Sequence, residues 1–182
     1  DGFLGHAYVG RDEVEKGMEY LNAALPICQS LDDKVAEIVL LRVLGAQYER
    51  SGDHYRRLVE FEEKRLSIAR EIGDRMEEAE SLMFCGQIRA LNLGDLDGGL
   101  ALLRESDSIM QAVSGRLFPL LRIAQVQINL GRLEDAQQTL EQAAPIAERN
   151  VYDLGRVGYK IVTILLYNAL GDRNHLQMAL AL

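Results

Sequence analysis

Residues 70–103 read REIGDRMEEAESLMFCGQIRALNLGDLDGGLALL. Gly-Asp occurs twice in this stretch, at Gly73-Asp74 and at Gly94-Asp95. Between the two pairs, apolar residues step by three and four positions, the period of a helix with one buried stripe. Each glycine can take the left-handed conformation that ends a helix, and the aspartate after it can cap the next. The stretch is therefore read as a helix enclosed by two tight turns.

Working outward, the same punctuation recurs. Turns at Gly52-Asp53, Gly94-Asp95, Gly131-Arg132 and Gly171-Asp172 are 42, 37 and 40 residues apart. A second set of breaks lies between them, at Leu31-Asp32-Asp33, Ile72-Gly73-Asp74, Val113-Ser114-Gly115 and Asn150. No segment alternates like a strand or carries a hairpin signal. The chain is expected to be all helix, in antiparallel pairs. First helices are predicted over 1–9, 34–51, 75–93, 116–130 and 152–170, second helices over 13–30, 54–72, 97–113, 133–149 and 173–182.

Aligned second helices repeat a packing code. Gly17, Leu21, Ala24 and Pro26 match Ala136, Leu140, Ala143 and Pro145, and Gly99, Leu103 and Ser106 fall in the same places. Small residues let a neighbouring helix come close while leucine fills the gap. The first helices carry their small residues at Gly45, Gly86, Ala124 and, more weakly, Thr163. One repeat departs: Leu58 and Arg65 stand where small residues are expected. That predicts a wider helix pair there, or an Arg65 that carries its head out to solvent. Pro26 and Pro145 are expected to kink the ends of their helices, and Pro119 to lie in a first turn.

These residues resemble the tetratricopeptide repeat. LLRVLGAQYERSGD (40–53) has that family's Leu-Gly pair, aromatic and turn, and LGRLEDAQQTLEQAAPIAE (130–148) resembles its second helix. EIGDR (71–75) is similar to the longer variety found in maltose-activator-type bacterial regulators and in multidomain signalling ATPases. The resemblance implies an α-solenoid of about four repeats plus partial ends, a right-handed superhelix with first helices lining its concave face. The chain is expected to be one repeat domain over 1–182, a piece of a longer protein.

Composition bounds the function. At 182 residues and a net charge of −8, the chain would repel a phosphate backbone, so nucleic-acid binding is not expected. No apolar run approaches the ~18 residues of a membrane span. Cys28 and Cys85 lack a CxxC partner and read as reduced core residues of a cytoplasmic protein. The charged run holding Arg56-Arg57, Glu60, Glu62 and Glu63 reads as a solvated helix face.

No catalytic site, cofactor or metal is expected. Phosphate-binding and nucleophile-elbow motifs need a strand before a helix. His6, His54 and His175 lie in different repeats without partners at ligand spacing, and the turn aspartates read as caps.

What remains is a surface. In the register that the resemblance implies, Arg42, Met83, Phe84, Gln87, Arg122, Gln125 and Lys160 face the concave groove. The family's Lys and Asn clamp for C-terminal carboxylates is not reproduced. The expected function is a non-catalytic scaffold binding a peptide, a partner protein or a neighbouring domain, with basic heads favouring an acidic and hydrophobic segment. The alternative is the sensor segment of a bacterial transcription regulator or signalling ATPase. Self-association through the ends is also expected, from Phe3 and Leu4 at one and Leu176, Met178, Leu180 and Leu182 at the other.

Overall fold

A computed structural model describes residues 14–51, 55–113, 115–149 and 153–172. Eight helices occupy them: α1 (Val14–Ser30), α2 (Lys34–Ser51), α3 (Tyr55–Ile72), α4 (Arg75–Leu91), α5 (Leu96–Val113), α6 (Leu117–Asn129), α7 (Leu133–Arg149) and α8 (Asp153–Leu170). There is no strand among the described residues. The predicted helices over 1–9 and 173–182 lie outside them, as do Gly52, Asn150, the three histidines and the terminal apolar residues. So does the side chain of Tyr48.

The turns work as the sequence implies. Gly73 (φ 73°) donates its N–H to the Arg70 carbonyl at 3.3 Å, and Asp74 donates to that of Ala69 at 2.9 Å. This pair of bonds closes α3 on its own last carbonyls. Asp74 Oδ1 then accepts the N–H groups of Met76 and Glu77, both at 3.1 Å, and starts α4. The same pair of closing bonds recurs at Gly131-Arg132 and at Gly171-Asp172. In the break without glycine, Asp32 itself takes the left-handed conformation (φ 53°), and Asp33 caps α2 through the Ala36 N–H.

Contacts divide the chain into two compact units, one ending at Ile88 and one beginning at Arg89, inside α4. In the first unit α2 packs against α1 and α3. Leu21, Ala24, Leu40 and Leu44 form one apolar cluster, and Ile38, Leu41, Ile68 and Ala69 a second. In the second unit α6 packs against α5, α7 and α8. Its core joins Leu117, Leu120, Leu121 and Ala124 to Ala136, Leu140, Ala143 and Leu166.

The small–leucine–small code is buried in α1, α5 and α7. Gly17, Leu21 and Ala24, Gly99, Leu103 and Ser106, and Ala136, Leu140 and Ala143 are all buried. Gly45 and Gly86 are buried too. A Cβ on Gly45 would sit 3.4 Å from Glu62 Oε1 and 3.8 Å from Leu58 Cδ2, so α3 approaches α2 at that point. Cys85 is in the core, but Cys28 is only half-buried at the edge of the first cluster. Pro119 is buried in the first turn of α6, while Pro26 and Pro145 are exposed inside α1 and α7, which both continue past them.

Candidate functional site

The second aligned helix corrects two expectations. Leu58, Glu62 and Arg65 occupy the small–leucine–small positions, and all three are buried. Arg65 does not reach solvent: it is 1% exposed. Its Nη1 donates to both oxygens of Glu62, at 3.0 and 2.7 Å, and its Nη2 donates to Glu77 Oε2 at 2.7 Å. A guanidinium taken out of water keeps its charge only with such partners. Burial works against that charge, but Glu62 and Glu77 outweigh it and leave the Arg65 pKa above its ordinary value. Glu62 is likewise not part of a solvated face; Arg56, Arg57, Glu60 and Glu63 are exposed around it.

Glu77 connects this pair to the surface. Its Oε1 accepts from Arg42 Nη1 at 3.1 Å, so it links a half-exposed arginine on α2 to the buried one on α3. Glu80, one turn along α4 from Glu77, stands 3.8 Å from Arg65 Nη2 and 4.0 Å from Arg42 Nη1. Both distances exceed hydrogen-bond length. Burial and the nearby Glu77 raise the Glu80 pKa, and burial with Glu77 and Glu80 raises that of Glu62 against the pull of Arg65. Arg65 Nε and the hydroxyl of Ser81 are buried without a hydrogen-bond partner.

Beside this cluster lies a cavity of about 250 Å3. Arg42, Gly45 and Ala46 of α2 line it, as do Leu58, Glu62 and Arg65 of α3 and Glu80, Met83, Phe84 and Ile88 of α4. The first unit thus brings together three of the residues expected in the groove: Arg42, Met83 and Phe84. Gln87, on the same helix, is half-buried outside that lining. In the second unit Arg122 donates to Gln125 Oε1 at 3.4 Å, and Gln125 and Lys160 are half-buried.

Sequence reasoning missed Glu62, Glu77 and Glu80. Glu62 carried a signal, a carboxylate in the column where Leu21, Leu103 and Leu140 stand, three residues before the misfit Arg65. Glu77 and Glu80 carried none, since acidic residues early in a helix are common without any tertiary role. Among the described residues no group of three His, Cys, Asp or Glu side chains could hold a metal ion.

Three solved structures share this architecture. One, the kinesin light chain nearly identical tetratricopeptide-like repeats of Podospora anserina, superposes with a TM-score of 0.77 at 19% identity, covering 99% of this chain and 89% of that one. The fold is that of tetratricopeptide-like repeats. The apo form of RapI gives 0.84 at 19% identity, covering 97% of this chain and 49% of RapI. A signal transduction ATPase with numerous domains and a tetratricopeptide repeat sensor, from Pyrococcus horikoshii, gives 0.69 at 20% identity, covering 99% of this chain and 34% of the ATPase. This chain therefore spans about half of RapI and a third of the ATPase. No protein-family model matches the chain, and no curated protein matches it by sequence. No described helix is long and apolar enough to cross a membrane.

Proposed function

We propose that the chain is a non-catalytic interaction scaffold that holds a peptide or a partner domain along its first-of-pair helices. In the first unit Arg42, Met83, Phe84 and Gln87 are the residues that would meet it, and in the second unit Arg122, Gln125 and Lys160. The observation that carries this reading is the cavity that Arg42, Met83 and Phe84 line together. Met83 and Phe84 remain half-exposed there, which leaves apolar area for a partner to bury. The cytoplasm is the compartment this reading assigns, and nucleic acid is not the ligand, given the net charge of −8.

A second reading makes the chain the sensor segment of a regulator or signalling ATPase. Its support is that almost the whole chain superposes on part of a larger ATPase carrying a tetratricopeptide repeat sensor. Reading the full-length open reading frame separates the two: an attached nucleotide-binding or helix-turn-helix domain favours the sensor.

The scaffold reading is tested with a partner captured by the full chain. Arg122→Glu should weaken that complex, and Arg104→Glu, exposed on α5, should leave it unchanged. If both variants bind like wild type, the groove is not the site. The apolar stripe of Leu154, Val157, Ile161 and Leu165 exposed on α8 then becomes the better candidate.

A further inference from the structure

A guanidinium carries N–H donors on all three of its nitrogens, and each needs an acceptor when it leaves water. In Arg65, Nη1 is taken by Glu62 and Nη2 by Glu77, while Nε is buried without a partner. Arg65 is 1% exposed and lines the first-unit cavity, so an acceptor for Nε has to arrive through that cavity.

The rest of the lining narrows what the acceptor is. A carboxylate is disfavoured, because Glu62 and Glu80 stand in the same wall and Arg42 and Arg65 already face both of them or Glu77. An ammonium has no acceptor to offer. The oxygen therefore belongs to an uncharged group. Glu80, one-third exposed, lies 3.8 Å from Arg65 Nη2 and 4.0 Å from Arg42 Nη1, beyond hydrogen-bond length. Its carboxylate thus keeps lone pairs for an N–H. A carboxamide is an uncharged group that accepts and donates side by side. Around these polar atoms the wall is apolar, from Ala46, Leu58, Met83, Phe84 and Ile88.

We propose that the cavity receives a glutamine side chain of a protein partner, its carbonyl accepting from Arg65 Nε and its amide N–H donating to Glu80. The inference rests on the scaffold reading and adds the residue that the partner inserts. Glutamine fits better than asparagine because Arg65 is buried while Arg42 and Glu80 are partly exposed, so the amide travels inward on a stem. Its methylenes then lie on the apolar wall of Met83 and Phe84. Space suffices: a cavity of about 150 Å3 admits benzene, and this one has about 250 Å3. A site that hydrogen-bonds both ends of an amide also rejects isosteres lacking either end.

The test uses butyramide, the glutamine side chain from its Cα outward. Controls are 2-pentanone, which accepts but does not donate, butyrate, and n-butylammonium, which only donates. NMR of the full chain follows the Arg65 Nε–H and the methyls of Met83 and Ile88. Butyramide should shift all three in a saturable way. Butylammonium should leave the Nε–H unmoved, and butyrate should bind more weakly than butyramide. Glu80→Leu should lower the ratio of butyramide to 2-pentanone affinity about fivefold, the scale of one hydrogen bond. Because that ratio compares two ligands of one shape in the same variant, repacking caused by the substitution cancels. An Nε–H unmoved by butyramide, butyrate binding as well as butyramide, or a ratio unchanged by Glu80→Leu overturns the proposal. So does a captured partner that binds without moving the Nε–H. If that partner still depends on Arg122, the scaffold reading stands and the glutamine site falls.

Discussion

Arg65 and Glu62 form a buried ion pair, Nη1 to Oε2 at 2.7 Å, in positions where the other aligned helices carry a small residue and a leucine. One repeat has thus replaced a packing contact with an electrostatic one. The replacement is self-consistent only as a pair. Arg65→Ala should destabilise by about 3–5 kcal/mol, because it leaves the Glu62 charge buried alone. Glu62→Leu combined with Arg65→Met should be as stable as wild type or more so, because apolar groups of similar size remove both desolvation costs. Urea unfolding midpoints at constant m-value decide this. A double variant as unstable as the single one would show that the pair stabilises beyond its own desolvation.

The same substitution should have opposite effects at two glycines. Gly45 is helical, and an added Cβ would make ordinary contact with Glu62 and Leu58. Gly45→Ala should therefore stabilise by about 0.5–1 kcal/mol through helix propensity. Gly131 has a φ of 70°. There alanine meets the left-handed penalty and should cost about 1–2 kcal/mol. Thermal unfolding of the two variants gives the signs, and equal signs would mean that backbone conformation is not what separates the sites.

Helix faces are tested in the second unit. Ala143 is fully buried between α6 and α7, whereas Glu141 is exposed. Ala143→Leu should cost about 1–3 kcal/mol by overpacking. Glu141→Ala should change stability by less than about 0.5 kcal/mol. Similar losses from both would mean that α7 is rotated about its axis.

Two buried glutamates should give stability profiles of opposite slope. Burial with Glu77 and Glu80 raises the folded-state pKa of Glu62 above its ordinary 4.5. The folded chain then holds that proton more tightly, so the Glu62 contribution falls as pH rises through the window above 4.5. Glu37 is shifted the other way. Burial opposes its charge, but Lys64 at 2.9 Å and the Gln29 amide at 2.8 Å outweigh that and lower its pKa. Its contribution is complete above 4.5 and is lost as pH falls through the lowered value. Unfolding free energies of Glu62→Gln and Glu37→Gln relative to wild type, measured across pH, should therefore run in opposite directions. Parallel profiles would contradict the two assignments.

Much of the fold was legible because it rests on local signals. Left-handed glycines set the turns at Gly73, Gly94, Gly131 and Gly171, and small residues about one helix turn from a leucine mark the contact faces of α1, α5 and α7. Both can be read within a single helix. Arg42, Met83 and Phe84 were legible as neighbours through repeat register alone. The charge state of their cavity was not, because it depends on which carboxylate reaches which arginine across three helices. Glu77 links Arg42 to Arg65 across 35 and 12 residues of sequence. No local pattern encodes those partners, so Arg42, read as a basic head in sequence, lines in the first unit a cavity that also holds Glu62 and Glu80.

Hydrogen–deuterium exchange of the full chain, alone and with a captured partner, tests the scaffold reading most directly. Added protection in α2, α4, α6 and α8, with α1, α3, α5 and α7 unchanged, is the expected result. Protection confined to the second-of-pair helices, or to α8 alone, would contradict it.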